Sequence, residues 1–272
     1  MKTRLIVAGA VLPVLFVVLF FLKPIFFGTL AAITCAIAAY EFMRVVCPNI
    51  NLWVKISVMV CAAAINFAHL TEYSFALTRL ILVALVLVVF IEGIRKFSKE
   101  DEVPFTEIIC CIFAGFVYPL MIASIVMLEA MENGRFFALL PFVITFCCDG
   151  GAYFAGIFLG KHRITPVSPK KSVEGFVGGM VAGVACAMIY GAIVALTTDL
   201  TVNFLALAVY GIAGSIAVEI GDLAYSLIKR QKGIKDYGNL IPGHGGMLDR
   251  FDSMSFAAPL ICALVSIWPV FI

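Results

Sequence analysis

The chain has 272 residues, of which 63% are hydrophobic and only 13% are charged, and its formal net charge is +2. Soluble domains average about 45–50% apolar and about 25% charged residues. This composition excludes a soluble domain carried by a single anchor, because no polar stretch is long enough to build a separate core. It predicts an all-α, polytopic integral membrane protein.

Nine segments are candidates for membrane-spanning helices, which need about 20 apolar residues. They are 5–22, 25–43, 54–70, 76–91, 108–128, 136–158, 176–197, 203–220 and 254–272. The first is longer than the ~7–15-residue core of a signal peptide and lacks a small-residue cleavage site, which favours a retained span. The next three are short or interrupted, so counts of eight and ten stay open. We find no internal repeat.

The positions of the cysteines indicate their role, and the positions of the charges indicate the orientation in the membrane. Nine cysteines stand singly or as adjacent pairs in apolar runs, a pattern that indicates packing rather than a metal or disulfide framework. With nine spans and a cytoplasmic N-terminus, 16 of the 19 Lys and Arg residues fall on the cytoplasmic side. This bias follows the positive-inside rule and places the polar loops 159–175 and 221–253 in the cytoplasm.

Asp149 lies well inside an apolar segment, beside Gly150 and Gly151. A carboxylate within a membrane is a functional candidate by default because its burial is costly. The adjacent glycines would loosen the helix and allow close approach. The alternative role for Asp149 is a hydrogen bond that helps two helices to pack.

The loop that follows contains Ser168, Lys170 and Lys171 within the sequence Ser-Pro-Lys-Lys-Ser. Two cations and two hydroxyls suit a phosphate group. A surface patch that meets lipid headgroups is the alternative.

The end of the eighth segment carries polar groups at helical spacing. Asp222 follows the apolar run, and Ser226, Lys229 and Arg230 lie four, seven and eight residues later. If the helix continues, these side chains share one face. They would then line one wall at the membrane surface, whereas contact with lipid headgroups is the alternative for the two cations.

A glycine-rich turn follows, in which Gly243, His244, Gly245 and Gly246 come directly after Pro242. Successive amides in such a turn can form a concave anion site, although a plain connecting turn is the default for glycines alone. The histidine could donate a hydrogen bond to phosphate, carry a proton or stabilise the turn.

Two carboxylates after the turn favour a binding site over a plain connecting turn. Asp249 and Asp252 are three residues apart, so on a helix they point the same way. Such hard oxygen ligands suit Mg²⁺, which one or two carboxylates and substrate phosphates usually hold. The positive end of the helix would add to anion binding. The alternative is an acidic first turn that complements the helix dipole.

These residues carry a resemblance. Ser226 to Arg230, Lys235-Asp236 and Pro242 to Asp252 together resemble, with the spacing intact, the signature of phosphatidate cytidylyltransferases, also called CDP-diacylglycerol synthases. The Ala-Tyr-Phe and Ser-Pro-Lys-Lys elements of 149–175 are similar to a second stretch of that family. Glycine follows Asp149 where the family more often has a hydroxyl residue. Residues 1–130 resemble the family only as a set of spans.

The resemblance implies a reaction in phospholipid biosynthesis, in which CTP and phosphatidate give CDP-diacylglycerol and pyrophosphate. It implies Mg²⁺, with K⁺ as an additional candidate, and metal ligation by Asp222, Asp249 and Asp252. The catalytic residues it implies are Asp222, Lys229, Arg230, Lys235, Asp236, His244, Asp249 and Asp252. The substrate-binding residues are Ser226, Gly243, Gly245, Gly246, Arg250, Ser168, Lys170, Lys171 and Asp149.

The expected organisation is one integrated membrane domain, with N-terminal spans over 1–130 and a catalytic region over 131–272. It would lie in a bacterial inner membrane with its active loops in the cytoplasm. The expected partners are CTP, phosphatidate and membrane lipids, but not nucleic acid, and a homodimer is left open. Two other hypotheses stay open: a carrier, because glycines beside an intramembrane Asp can break a helix, and the same chemistry on an isoprenoid or ether-lipid phosphate.

Overall fold

The computed structural model describes residues 17–240 and 245–272. Eight helices cover most of these residues, residues 17–21 are helical as well, and the β-structure of the described chain is limited to isolated bridges. The helices are α1 (Pro24–Val46), α2 (Leu52–Ala68), α3 (Ser74–Lys96), α4 (Phe105–Glu129), α5 (Gly134–Phe158), α6 (Val173–Thr197), α7 (Phe204–Gln231) and α8 (Leu248–Ile267).

Seven of these helices are long and apolar enough to cross a membrane, and α2 is a shorter apolar helix. The predicted all-α, polytopic membrane fold is therefore confirmed. Eight predicted spans coincide with α1–α8, whereas most of the span predicted over 5–22 lies outside the described residues. The span predicted to end at 220 continues to Gln231, because the charged stretch after Asp222 contains no glycine or proline that would end a helix.

The chain folds into two units. Unit 1 comprises the described residues of Met1–Ala130 together with Ile234–Arg250, and unit 2 comprises Met131–Gly233 and Phe251–Ile272. Unit 1 therefore contains α1–α4 and the glycine-rich loop. Unit 2 contains α5–α7 and most of α8.

In unit 1, α4 adapts to a proline within its apolar sequence. A π-helical turn, Phe113–Val117, precedes Pro119, whose nitrogen has no hydrogen to donate to the preceding turn. Gly115 lies in this turn, where an added Cβ would come within 2.9 Å of Val58 Cγ1 on α2 and 3.0 Å of Leu85 Cδ2 on α3. The glycine thus lets α4 pack closely against two neighbouring helices.

In unit 2, small residues bring α5 and α6 together. Gly175, Gly179, Gly183 and Gly191 recur at intervals of four or eight residues and form a buried face of α6. Such stripes let helix backbones approach closely. Close packing matters in lipid, because moving apolar side chains from lipid into a helix interface provides little driving force for association. From α5, an added Cβ on Gly151 would lie only 2.9 Å from the carbonyl oxygen of Gly178. Gly151, the second glycine after Asp149, therefore permits close approach, while α5 stays continuous.

We predict that Gly151→Ala destabilises unit 2, whereas Gly150→Ala does not. The first substitution forces a methyl group against α6, and such overpacking costs about 1–3 kcal/mol. The second places its methyl where no atom lies within 4 Å, and alanine is the better helix former. The thermal midpoints of the purified variants in detergent provide the measurement. Equal midpoints for the two variants would contradict this packing.

Candidate functional site

A network of charges lies within unit 2, centred on Lys171. Its ammonium Nζ lies 2.6 Å from Glu219 Oε2 and 2.6 Å from Asp222 Oδ2. The two carboxylates are three residues apart on α7 and so lie on one face of that helix. The Glu219 side chain is 3% exposed and that of Asp222 is 32% exposed. One cation therefore serves a buried carboxylate and an accessible one.

The backbone around Lys171 is fixed by local hydrogen bonds. The amide of Lys171 donates to the carbonyl of Ser168 at 3.0 Å, and the Ser172 hydroxyl caps α6 by accepting from the amide of Gly175 at 3.1 Å. From α7, Arg230 Nε donates to the carbonyl of Val167 at 3.3 Å. The turn thus holds Lys171 beside α7.

Burial would lower the pKa of Lys171, but the carboxylates of Asp222 and Glu219 outweigh it and raise that pKa above its usual value. Lys171 is therefore a cation at neutral pH. Its charge offsets the cost of the buried Glu219, because a buried carboxylate is tolerated only when it is paired.

Charges of unit 2 act on Asp149 through space. A negative charge on Asp149 is repelled by Asp222 and Asp252 and attracted by Lys171. Asp149 itself is exposed, on α5. The predicted intramembrane acid is therefore part of the same electrostatic network as the carboxylate of α7, and it does not stand alone in an apolar surface.

A further ion pair of unit 2 joins α7 to α8. Lys229 Nζ lies 3.8 Å from Asp252 Oδ2, and both residues are buried. Ser226, one turn before Lys229, is buried as well. The predicted continuation of the helix through Asp222, Ser226 and Lys229 is thus observed, and its polar face lies inside unit 2.

In unit 1, Asp249 anchors the glycine-rich loop. Its Oδ2 accepts hydrogen bonds from the amides of Tyr237 at 2.8 Å and Gly246 at 3.0 Å. Gly245 has a φ of +79°, which favours glycine, and an added Cβ would lie 3.1 Å from Asp249 Oδ2. The acid in the first turn of α8 therefore shapes the loop that precedes it.

Glu41 on α1 holds the same loop from a position 207 residues earlier. Its Oε2 accepts from the amide of Leu248 at 2.9 Å, at the start of α8. An added Cβ at Gly238 or at Gly246 would lie 2.6 Å from the carboxylate carbon of Glu41. These glycines leave room for a buried acid. Arg44, one turn later, donates from Nη2 to the carbonyl of Tyr237 at 2.8 Å.

This arrangement occupies two backbone amides at the start of α8. The amides of Gly246 and Leu248 already donate to Asp249 and Glu41. Two carboxylates of the chain itself thus lie at the positive end of α8, and one of them, Asp249, is in its acidic first turn, the alternative that the sequence leaves open. In this structure, neither of these two amides is available to a substrate phosphate.

The remaining predicted site residues are distributed as follows. Lys170 lies in the turn of unit 2, and Lys235, Asp236 and Arg250 lie in unit 1; all four are exposed. Asp236 Oδ1 is within 3.3 Å of an added Cβ on Gly245. Gly243 and His244 lie outside the described residues.

The three predicted metal ligands fall into two units, with Asp222 and Asp252 in unit 2 and Asp249 in unit 1. Among the described residues, no group of three His, Cys, Asp or Glu side chains is arranged to hold a metal ion. A metal held by one or two carboxylates and a substrate phosphate does not require such a group.

Sequence reasoning missed Glu219 and Glu41 as members of these clusters. Both acids lie in apolar runs, and the rule that singles out Asp149 as an intramembrane carboxylate applies equally to Glu219. Their partners could not be identified from the sequence, because Lys171 is 48 residues from Glu219 and Leu248 is 207 residues from Glu41.

Comparison with known proteins assigns the chain to a family. The family model described as "Cytidylyltransferase family" matches residues 2–268. The chain belongs to the cytidylyltransferase family. The match includes the charged residues around Lys171 in unit 2 and the loop held by Asp249 and Glu41 in unit 1. It also extends over the first 130 residues, for which the sequence pattern indicates only a set of spans.

Several curated proteins that are similar to this chain are named phosphatidate cytidylyltransferase. The protein from Staphylococcus saprophyticus is 36% identical over 172 residues, which cover 63% of this chain and 62% of the relative. The Staphylococcus haemolyticus protein is 35% identical over 172 residues, again 63% of this chain and 62% of the relative. The Staphylococcus aureus protein is 39% identical over 138 residues, half of this chain and 52% of the relative. The alignments with these cytidylyltransferases thus span less than two thirds of their length.

We predict that Glu41→Ala destabilises unit 1 and loosens the loop over 234–250. The substitution leaves the buried amide of Leu248 without its acceptor, which costs about 1–3 kcal/mol. Faster hydrogen exchange at Tyr237, Gly246 and Leu248 provides the measurement. Glu72→Ala is the matched control, because Glu72 is exposed in the same unit. Equal exchange in both variants would contradict the anchoring role.

Proposed function

We propose that this protein is a CTP:phosphatidate cytidylyltransferase, which forms CDP-diacylglycerol and releases pyrophosphate. The observation that carries the proposal is the charge network of unit 2, where Lys171 and Lys229 meet the carboxylates of Asp222 and Asp252 within apolar helices. Membership of the cytidylyltransferase family and the names of the relatives support it.

The chemistry of the reaction explains why such a network is needed. A phosphate oxygen of the lipid attacks the α-phosphorus of CTP, a new P–O bond forms, and the bond to the departing pyrophosphate breaks. Two anions must approach each other, so neutralisation of charge and positioning dominate catalysis. The reaction requires no protein nucleophile. Cations on a rigid helix, beside carboxylates that can hold a metal, suit this task.

The residues present fit a magnesium ion. Asp149, Asp222 and Asp252 are hard oxygen donors, and Asp222 and Asp252 each repel a negative charge on Asp149, a repulsion that a divalent cation relieves. We propose that Asp222 and Asp252, with Asp249, are the metal ligands, and that K⁺ is an additional candidate ion. Bound Mg²⁺ would polarise the phosphoryl oxygens and neutralise charge on the leaving group.

We propose that Lys229 and Arg230 on α7, with Lys235, face the phosphates of CTP and phosphatidate. These residues, Asp236 and His244 complete the catalytic set that the resemblance implies. Ser168, Lys170, Lys171, Ser226, Arg250 and Asp149, with glycines 243, 245 and 246, complete the binding set. Of this set, the lysine, arginine and serine side chains would donate to the phosphatidate headgroup, because the amides of Gly246 and Leu248 are engaged within the chain, and the glycines would allow close approach.

We propose a bacterial inner membrane as the location, with the polar loops in the cytoplasm. The chain is an integral membrane protein by its apolar helices, and its relatives are bacterial proteins. Sixteen of the 19 Lys and Arg residues fall on the cytoplasmic side under the predicted topology. CTP is cytosolic, so this orientation would give the loops access to it. A homodimer stays a prediction.

The direct test is release of pyrophosphate from CTP by the purified protein. We expect release only when phosphatidate and magnesium are both present, and labelled CDP-lipid as the product. An isoprenoid or ether-lipid phosphate tested in the same assay decides the acceptor. Solute uptake by reconstituted vesicles without consumption of CTP would instead identify a carrier.

We predict that Asp249→Asn lowers turnover at least about 100-fold, the scale of losing one electrostatic contact to the transition state. The amide oxygen of asparagine can still accept from Tyr237 and Gly246, so the loop keeps its shape while the negative charge is lost. Rates of CDP-lipid formation and thermal midpoints provide the measurements. Asp199→Asn, at an exposed loop position, is the matched control. Near-normal turnover by Asp249→Asn would count decisively against the role of this carboxylate.

A further inference from the structure

We propose that Lys171 is a built-in counter-ion that occupies the cation position of Asp222 until a divalent metal displaces it. In this view the ammonium leaves Asp222 when the metal binds, stays tethered to Glu219, and becomes available to a substrate phosphate. The proposal rests on the proposed function in one respect, that Asp222 is a metal ligand. It adds a role for Lys171 and Glu219 that follows from their geometry.

The two ion pairs of Lys171 differ in the burial of the carboxylate. The ammonium lies 2.6 Å from a carboxylate oxygen of each partner. Glu219 is only 3% exposed, so it needs a permanent cation, whereas Asp222 is 32% exposed and can exchange one partner for another. Removal of the cation from a buried pair is strongly destabilising. The bond to Glu219 is therefore the tether, and the bond to Asp222 is the exchangeable contact.

A metal ion and the Lys171 ammonium would compete for one oxygen atom, Asp222 Oδ2. Magnesium binds carboxylate oxygens at about 2.0–2.1 Å and demands near-ideal octahedral geometry. An ammonium 2.6 Å from Asp222 Oδ2 occupies the space and supplies the charge that a metal would bring. Two cations on one carboxylate also repel each other. Binding of the metal at this oxygen therefore requires Lys171 to move.

Only the side chain of Lys171 has to move for a metal to bind Asp222. The backbone of the turn is held by the Lys171–Ser168 bond, the Ser172 cap and the contact from Arg230. Lysine has a flexible stem with a compact charge at its end, so it can swing away from Asp222 while Glu219 retains it. The displaced cation would remain within unit 2, where CTP and phosphatidate bring negative charge.

The test is the affinity of the purified, nucleotide-free protein for Mn²⁺, measured by the EPR signal of the free ion. We expect Lys171→Met to bind Mn²⁺ at least about fivefold more tightly than the wild type, which is the lower end of typical couplings between sites. Lys161→Met removes an exposed cation from the same loop and should leave the affinity unchanged. Lys171→Gln keeps a donor for Glu219 and should show the same tightening if the methionine variant does not fold.

The outcomes separate this proposal from the one on which it rests. Unchanged or weaker Mn²⁺ binding by both Lys171 variants, together with weaker binding by Asp222→Asn, would overturn the counter-ion role and leave the metal site intact. Unchanged binding by Asp222→Asn would remove Asp222 from the metal site and overturn both proposals at that residue. Tighter binding by Lys171→Met, with Lys161→Met unchanged, supports the exchange of one cation for another.

Discussion

A carboxylate among apolar helices must be neutralised, and this constraint shapes the described structure. A charge at the centre of a membrane costs roughly 2.5–3.5 kcal/mol even on lenient insertion scales. Glu219 meets this constraint through Lys171, and Asp252 through Lys229. Glu92, which is fully buried in unit 1, lies 2.9 Å from Arg95 and 3.8 Å from Lys96. The pairs of Glu219 and Asp252 join separate parts of unit 2, whereas that of Glu92 lies within α3.

The carboxylates around Lys171 in unit 2 and those at the 234–250 loop of unit 1 meet the same constraint with different chemistry. Unit 2 pairs its acids with lysine ammonium groups, which can exchange one carboxylate for another ion. Unit 1 binds Glu41 and Asp249 through backbone amides, which cannot move away without unfolding the loop. The first arrangement suits a site that must accept a metal and phosphates. The second fixes the backbone of the loop, and it explains why glycines stand at 238 and 246, where a side chain would meet the Glu41 carboxylate.

The sequence alone predicts the parts of this structure that depend on local pattern. Apolar runs predict the helices within a few residues at most ends, and spacing predicts that Asp222, Ser226 and Lys229 share one helix. The end of α7 is missed by eleven residues, since a hydropathy pattern ends where charges begin although the helix continues to Gln231. The role of Glu41 is not predictable in this way, because its partner lies 207 residues away in the chain. The same limit applies to the choice of Lys171 over Lys170 as the partner of Asp222, which depends on the turn from Ser168.

The central claim is that the Lys171–Glu219–Asp222 network is the cation site of a cytidylyltransferase. The most direct measurement is the anomalous diffraction of Mn²⁺ in crystals of the protein grown with CTP. The account predicts a peak about 2.1 Å from a carboxylate oxygen of Asp222, with the Lys171 ammonium still at Glu219 and no longer at Asp222. A metal held away from Asp222, with Lys171 still bridging both carboxylates, would contradict it.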